Sequence, residues 1–323
     1  MNRRDLLGCL AGAIALGPGA ALAQAARPAR IGWLSYLPSP DPALGLLNEG
    51  LRALGHVEGK TYVPIARYAA NDFTRLPALV DELVAERLDV LVSRGPSVDF
   101  TTRVRDRVPV VFVFSGDPVA AGFADSLGRP GRNMTGMTMM AMELCAKRVE
   151  VLKDLLPGAK RIALLSNPEH AGELLEYRVT EDTARRLGAE VSRYLVHTPQ
   201  ELAPAFAAIR AAKFDATLVF PDSLTLNRRK EIAAMAAETR MPCMYGWTEF
   251  VDAGGLVSYG PTITEGFRAL ARFTDKILKG GNASHIPIEQ AQTISLSLNV
   301  TAAKALGMNI PPALLARVDH IIQ

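Results

Sequence analysis

Strand-like and helix-like segments alternate along nearly the whole chain. Apolar runs such as LDVLV and VPVVFVF are typical of parallel strands that are covered on both faces. Between the strands, residues such as Leu44, Leu47 and Leu51 fall on one face of a helix. This alternation indicates βαβ units, and therefore an α/β fold built on parallel sheets.

The second half of the chain repeats the strand beginnings of the first half at an offset of about 130 residues. The matching pairs are Arg30–Ser35 with Arg161–Ser166, Arg87–Val90 with Lys213–Ala216, and Arg107–Val110 with Arg240–Cys243. Three matches in the same order indicate two similar lobes. Because parallel sheets bind ligands beyond the carboxyl ends of their strands, two facing lobes would enclose a ligand cleft, and closure about a hinge would trap the ligand.

The first 23 residues have the layout of a secretory signal peptide. Arg3 and Arg4 form a basic start, residues 6–16 form a short apolar run, and residues 21–23 (ALA) form a cleavage site. The apolar run is too short for a membrane span, which needs roughly 20 residues. We expect export to the periplasm and a mature chain that begins at Gln24. The paired arginines leave the twin-arginine route and the general route both open.

The net charge indicates which kinds of binding partner can be excluded, and the cysteine content indicates whether a disulfide could form. The net charge of +3 is small and no basic stripe stands out, so we predict no nucleic-acid partner. After signal-peptide removal two cysteines remain, Cys145 and Cys243. An oxidising periplasm would allow them to pair, whereas their unlike surroundings favour two buried free thiols. Nothing in the chain indicates oligomers, so we expect a monomer.

The loops after the strands supply the candidate ligand contacts. Their Ser, Gly, Asn and Asp residues also form ordinary turns, but their convergence on one cleft indicates a polar binding site. Asp117 could balance a ligand ammonium group, and strand-end aromatic residues could wall the site. The candidate ligand-binding residues are Ser35, Tyr36, Ser93, Gly95, Ser97, Ser115, Asp117, Asn167, Asp222, Tyr245, Trp247 and Tyr259.

Several long segments resemble the substrate-binding proteins of ABC transporters, of the tryptophan or aromatic amino-acid type. They are 111–131 (VFVFSGDPVAAGFADSLGRPG), 133–136 (NMTG), 252–260 (DAGGLVSYG), 277–281 (ILKGG) and 303–307 (AKALG). The resemblance implies a type I periplasmic-binding fold, with two Rossmann-like lobes joined by a three-stranded hinge. The implied N-terminal lobe comprises residues 28–136 and 263–292, and the implied C-terminal lobe comprises residues 137–262 and 293–323.

The resemblance also implies a function. The protein would capture a small polar or amino-acid-like ligand between its lobes and deliver it to an ABC permease in the inner membrane, without catalysis or cofactor. The loop SRGPSVD departs from the small-residue stretch that is usual in the family, and the departure is Arg94. Pointing inward, Arg94 could pair with a carboxylate or another anion. Pointing outward, the orientation that we expect, it would be a solvated charge.

Two alternatives stay open at this point. A sensory binding protein that presents its ligand to a receptor would share the fold. A two-cysteine amino-acid racemase would need reactive thiols at facing strand ends, whereas Cys145 lies in a helical stretch and Cys243 lies inside a strand. The chain shows no dinucleotide-binding glycine pattern after its first strand, no paired-histidine spacing and no nucleophile elbow. We therefore predict no catalytic and no metal-binding residues.

Overall fold

The protein structure, a computed structural model, describes residues 27–170 and 172–323. The signal peptide expected over residues 1–23 and its cleavage site lie outside the described residues. Within the described ranges, no helix combines the length and the apolar character that a membrane crossing requires.

The described ranges contain thirteen strands and twelve α-helices. The strands are β1 (Ala29–Ser35), β2 (Tyr62–Tyr68), β3 (Val90–Arg94), β4 (Val110–Phe114), β5 (Met134–Thr138), β6 (Arg161–Ser166), β7 (Glu190–Leu195), β8 (Ala216–Val219), β9 (Cys243–Tyr245), β10 (Val257–Pro261), β11 (Glu289–Gln290), β12 (Ile294–Asn299) and β13 (His320–Ile322). The helices are α1 (Pro42–Ala53), α2 (Leu76–Ala85), α3 (Ser97–Thr101), α4 (Ala141–Leu155), α5 (Glu173–Arg186), α6 (Leu202–Ala211), α7 (Ser223–Asn227), α8 (Arg229–Glu238), α9 (Glu249–Asp252), α10 (Ile263–Leu278), α11 (Val300–Ala305) and α12 (Pro312–Leu315).

The strands form two separate sheets, one in each lobe. The first sheet has the order β11-β5-β4-β3-β1-β2, and its paired strands are all parallel. The second has the order β13-β12-β10-β9-β8-β6-β7, with one antiparallel pair between β10 and β12. This arrangement confirms the predicted fold class of two α/β lobes with parallel sheets.

Each sheet is buried on both faces, as its apolar strands require. β3 and β4 are buried along their whole length. In the first lobe, Trp33 and Phe112 belong to two different buried clusters, one on each face of the sheet. In the second lobe, the neighbouring residues Leu164 and Leu165 do the same. Because successive strand residues point to opposite faces, continuous apolar strands supply both cores at once.

Helices α1 and α10 pack closely together on one face of the first lobe. Asp41 caps α1 by accepting a hydrogen bond from the amide of Ala43 at 3.0 Å. A Cβ atom at Gly50 would lie 2.5 Å from the Cβ atom of Ala271, so the glycine permits this close approach. α10 turns a continuous apolar stripe toward α1 and the sheet, formed by Phe267, Leu270, Phe273 and Ile277.

The chain passes between the two sheets three times. It leaves the first sheet after Thr138, returns to that lobe after Pro261, and enters the second sheet again at Ile294. Helix α10 therefore packs on the first lobe although its sequence follows most of the second. Both lobes are assembled from segments that are distant in sequence.

Buried polar side chains join the crossing segments. Arg148, with 2% of its surface exposed, donates from Nε to the carbonyl of Tyr259 at 2.9 Å and from Nη1 to the carbonyl of Ala141 at 3.0 Å. Its guanidinium thereby connects the first crossing to the second. Glu265 accepts from the amide of Gln292 at 2.8 Å and so connects the start of α10 to the third crossing.

Candidate functional site

The carboxyl ends of the two sheets face each other, and their loops touch. A Cβ atom at Gly95, after β3, would lie 2.2 Å from Oγ of Ser223 at the start of α7. A Cβ atom at Gly172 would lie 3.6 Å from Cα of Gly116, after β4. Two glycines thus allow backbone-close contact between the lobes. The space between these loops is the candidate ligand cleft.

A small cavity lies in this cleft and is lined from both lobes. Its volume is about 20 Å³, whereas small-molecule sites occupy roughly 300 Å³ or more. The lobes are therefore in a closed arrangement, and they must separate to admit a ligand. The lining residues are Arg94, Gly95, Val113, Ser115, Met139, Ser223, Leu226, Trp247, Ile263 and Phe267.

Arg94 points into the cleft, which corrects our expectation of a solvated outward charge. Its side chain is 9% exposed. Nε and Nη2 each lie 3.5 Å from a carboxylate oxygen of Asp41, and Cζ lies 5.4 Å from the ring centroid of Phe267. A carboxylate and an aromatic face thus compensate the buried charge. Both partners are distant in sequence, so the local sequence gave no sign of this orientation.

Asp41 holds Ser35 and Arg94 around the end of β1. Its Oδ2 accepts from Oγ of Ser35 at 2.7 Å, and its Oδ1 accepts from the amide of Ala43. Its side chain is fully buried. The N-terminus of α1 stabilises the negative charge of Asp41. Ser35, a predicted ligand contact, is thereby fixed by an intramolecular hydrogen bond.

Asn167 and Asp222 are hydrogen-bonded to each other in the second lobe, and Tyr36 of the first lobe lies close enough for the charge of Asp222 to affect its pKa. Asp222 accepts from the amide of Leu224 at 2.7 Å and from Nδ2 of Asn167 at 3.2 Å through Oδ1. Its Oδ2 is buried and has no hydrogen-bond partner among the described residues. Burial, followed by the charges of Asp222, Glu169 and Asp72, raises the pKa of Tyr36 to about 12. The electrostatic effect of Asp222 and Glu169 on Tyr36 reaches from one lobe to the other.

A buried histidine and glutamate pair lies beside this group. Nε2 of His170 is 2.7 Å from Oε1 of Glu176, and both side chains are almost completely buried. The imidazole lies against Phe114 of the first lobe, with 5.5 Å between ring centroids. No sequence pattern singled out either residue as a site residue. Their one signal was the position of His170 in the loop after β6, beside the predicted contact Asn167.

The other predicted ligand contacts of the first lobe differ in how deeply they are buried. Ser93 is fully buried, with Oγ 3.5 Å from the carbonyl of Leu34. The Oγ of Ser97 is buried without a partner among the described residues. Ser115 lines the cavity. Asp117 is half-buried, and its Oδ1 accepts from the amides of the next turn at 2.8 and 3.3 Å, which is the behaviour of a turn-forming aspartate.

The three predicted aromatic residues of the second lobe lie on two faces of its sheet, with Tyr245 and Trp247 in one buried cluster and Tyr259 against the other. Trp247 lines the cavity. Tyr245 is fully buried in the core and stacks on Phe250 with 4.4 Å between ring centroids. Tyr259 packs against the cluster on the opposite face of the sheet. Of the three, Trp247 is therefore placed to meet a ligand in the closed cleft, and its aromatic counterpart from the other lobe is Phe267.

Comparison with known proteins identifies the family. Residues 37–322 match the family model described as ABC transporter substrate binding protein. The chain belongs to this family of substrate-binding proteins. It is 24% identical over 274 residues to the tyrosine-binding protein of Clostridioides difficile (strain R20291), a match that covers 84% of this chain and 78% of the relative.

Solved structures share the fold of this substrate-binding protein. A conserved domain protein from Vibrio cholerae has a TM-score of 0.82 and 24% identity, with 91% of this chain and 99% of that chain covered. An ABC domain from Streptococcus pneumonia in complex with L-Trp has a TM-score of 0.79 and 22% identity, with 91% and 100% covered. An ABC transporter solute binding protein from Agrobacterium vitis with bound allitol has a TM-score of 0.63 and 15% identity, with 85% of this chain and 97% of that chain covered.

The substrate-binding protein is a binding protein, not an enzyme, as its family establishes. Its two thiols have the wrong placement for a racemase. Cys145 and Cys243 are free and buried, and they lie in the clusters on opposite faces of the second lobe's sheet. Burial raises the pKa of each thiol to about 12. Among the described residues, no cluster of three or more His, Cys, Asp or Glu side chains is arranged to hold a metal ion.

Proposed function

We propose that this protein is the ligand-capturing subunit of an ABC uptake transporter. It binds a small amino-acid-like ligand between its lobes and presents the closed complex to a permease in the inner membrane. Residues 1–23 direct the chain to the periplasm, where it acts as a monomer.

One observation carries the proposal: the carboxylate of Asp222, next to Ser223 at the interlobe contact, has an unused oxygen. Asp222 is 2% exposed, and its Oδ2 has no partner within the described ranges. A buried acceptor without a partner is costly. A ligand ammonium group would satisfy it, and Tyr36 lies close enough across the cleft to respond to its charge.

The apolar part of the cleft is suited to the rest of such a ligand. Trp247 of the second lobe and Phe267 of the first line the same cavity, together with the aliphatic side chains of Val113 and Leu226. Aromatic walls with polar groups at one end favour a ligand with an apolar body and a polar head. The names of two similar proteins, one tyrosine-binding and one in complex with L-Trp, make aromatic amino acids the first compounds to test.

The closed arrangement explains how binding would be signalled to a permease. A ligand in the cleft touches both lobes in the closed form and one lobe in the open form. It therefore favours closure by the difference between its affinities for the two forms. The contact of Gly95 with Ser223 marks the closed form. The permease would recognise the paired lobe surfaces that closure creates.

A thermal-shift screen of the mature protein tests the binding function. A ligand at 100 times its dissociation constant stabilises the folded state by about 2.7 kcal/mol. We expect a raised melting temperature with at least one amino acid or aromatic acid. If amino acids, aromatic acids, short peptides and polyols all leave the melting temperature unchanged, the proposal is wrong.

A second experiment distinguishes transport from sensing. Bacteria that lack the gene should lose uptake of the radiolabelled ligand found in the screen, and the restored gene should recover it. Normal uptake in the deletion strain, with a lost transcriptional or motility response to the same ligand, would favour the sensory alternative.

A further inference from the structure

We infer that Arg94 is the anion-recognition residue of the cleft, so that the ligand carries a carboxylate that this guanidinium binds directly. The inference rests on the proposed binding function and adds a chemical class to it: small carboxylates with an apolar body. Arg94 supplies the positive charge among the residues that line the closed cavity. The other lining residues are apolar, apart from Gly95 and the hydroxyl-bearing Ser115 and Ser223.

The hydrogen bonds that hold Arg94 in the closed cleft are weak. Both contacts to Asp41 measure 3.5 Å, whereas charge-assisted hydrogen bonds of an arginine typically measure about 2.7–2.9 Å. A side chain that is 9% exposed gains little from solvent in compensation. A ligand carboxylate in the fork of the guanidinium would form the short paired contacts that Asp41 does not.

Asp41 does not depend on Arg94. Its carboxylate accepts from Oγ of Ser35 at 2.7 Å and from the amide of Ala43 at 3.0 Å, at the N-terminus of the twelve-residue helix α1. When Arg94 turns toward a ligand, Asp41 therefore keeps two hydrogen bonds and a favourable helix dipole. The guanidinium can be exchanged between Asp41 and a ligand without leaving the buried carboxylate without hydrogen-bond donors.

The surroundings of Arg94 define the shape of the ligand. Ser115 and Ser223 place hydroxyl groups from opposite lobes on the same cavity, where they can donate to a carboxylate. Phe267 lies beneath the guanidinium, and Trp247 faces the cavity from the second lobe. A carboxylate at Arg94 would thus continue into an apolar or aromatic body between these two rings.

Matched acids and amides test the inference. The probes are L-tryptophan, L-tyrosine and indole-3-propionate, each with its primary amide, and myo-inositol as a neutral polyol. Calorimetric titrations are made with the wild type, Arg94→Gln, Arg94→Lys and the surface control Arg132→Gln, whose side chain is 41% exposed and pairs with Asp125. We expect the wild type to prefer an acid to its amide by at least about tenfold.

Arg94→Gln should weaken binding of the acid by about 10- to 100-fold and leave amide binding unchanged, so that the preference disappears. Arg94→Lys should retain part of the preference because it keeps the charge but loses the fork, and Arg132→Gln should match the wild type. An acid preference that survives in Arg94→Gln overturns the inference. Wild-type binding of amides or myo-inositol alone overturns it and leaves the binding function standing. Failure of every probe to bind overturns the inference and counts against the proposed function as well.

Discussion

Nε2 of His170 lies 2.7 Å from Oε1 of Glu176, and the two side chains are buried where the second lobe meets the first. Burial disfavours the charged imidazole, but the charge and the hydrogen bond of Glu176, with the charges of Asp222 and Asp99, outweigh it and raise the pKa of His170. Asp99 belongs to α3 of the first lobe. Burial raises its own pKa to about 6, against a smaller lowering by His170.

The raised pKa values of His170 and Asp99 predict that the free energy of unfolding falls as the pH rises. The pKa of His170 is higher in the folded protein than in the unfolded chain, where it is about 6.5. Its stabilising contribution is therefore fully present below about pH 6.5 and is lost as the pH rises through the folded pKa. The raised pKa of Asp99 acts in the same direction, between its ordinary value of 3.8 and about 6. Urea denaturation of the ligand-free protein across this pH range measures the effect.

His170→Gln isolates the contribution of the histidine, because glutamine can donate a hydrogen bond to Glu176 but carries no charge. We expect it to lower the free energy of unfolding by about 1–3 kcal/mol near pH 6 and by less near pH 9. A loss of equal size at both pH values would show that the imidazole is neutral in the folded protein.

Gly95→Ala should hold the lobes apart. The glycine has φ +54°, and its added Cβ would lie 2.2 Å from Oγ of Ser223. We expect a cost of about 1–2 kcal/mol from the left-handed backbone, and in addition about tenfold weaker ligand binding, because the closed form is hindered. Small-angle X-ray scattering should show a larger radius of gyration with saturating ligand than the wild type gives.

Gly122→Ala is the matched control. Gly122 also has a positive φ, +75°, but its added Cβ meets nothing within 4 Å. It should lose similar stability and keep wild-type affinity. In the double variant Gly95→Ala with Ser223→Gly, which removes the clashing side chain, the radius of gyration with saturating ligand should return to the wild-type value. Equal affinities for Gly95→Ala and Gly122→Ala would show that this contact does not limit closure.

Asp222→Asn should weaken the binding of ligands that carry an ammonium group by about 10- to 100-fold. Asparagine can still cap α7 through its side-chain oxygen, but it removes the charge and the free acceptor at Oδ2. The comparison is Asp117→Asn, because Asp117 was the sequence-based candidate for the ammonium partner and its carboxylate instead caps its own turn. Calorimetry with an amino acid and its deaminated analogue identifies which aspartate binds. A larger loss with Asp117→Asn would return the role to Asp117.

In protein produced without residues 1–23, the thiols of Cys145 and Cys243 should be inert in the native state. With pKa values raised to about 12 by burial, Cys145 and Cys243 carry almost no thiolate near pH 8. We expect no colour with Ellman's reagent until guanidinium is added, and then reaction of both thiols. Cys145→Ala should halve the denatured signal and leave ligand affinity unchanged. Rapid labelling of the native protein would contradict the buried placement.

The strands and helices could be predicted from the sequence where one local pattern decides the structure. The continuous apolar runs of β3 and β4 require burial on both faces, and this requirement is met by a parallel sheet between helix layers. The stripe formed by Leu44, Leu47 and Leu51 predicted a helix, and these residues lie in α1. The site was harder, because its geometry depends on residues far apart in sequence.

Arg94 and the aromatic residues illustrate the difficulty. Arginine is usually exposed, and its burial here depends on Asp41 and Phe267, neither of which is near it in sequence. Tyr245 ends β9 and Trp247 comes two residues later, and both belong to the same buried cluster, yet of the two it is Trp247 that also lines the cavity. The sequence pattern does not specify how far each ring lies from the cleft. Phe267 reaches the cavity from the first turns of α10, and no sequence pattern indicated which end of this helix opens on the cleft.

The three passages of the chain between the sheets also govern when this protein can fold during its synthesis. Helix α1 packs its apolar face on α10, whose residues follow most of the second lobe. When only the first 140 residues or so have been synthesised, the first lobe therefore lacks α10 and its core is open. The second lobe in turn lacks its β12 and β13 strands until the last thirty or so residues emerge. Neither half can become a finished unit early, so the nascent chain stays without a completed core until almost the whole polypeptide has been made.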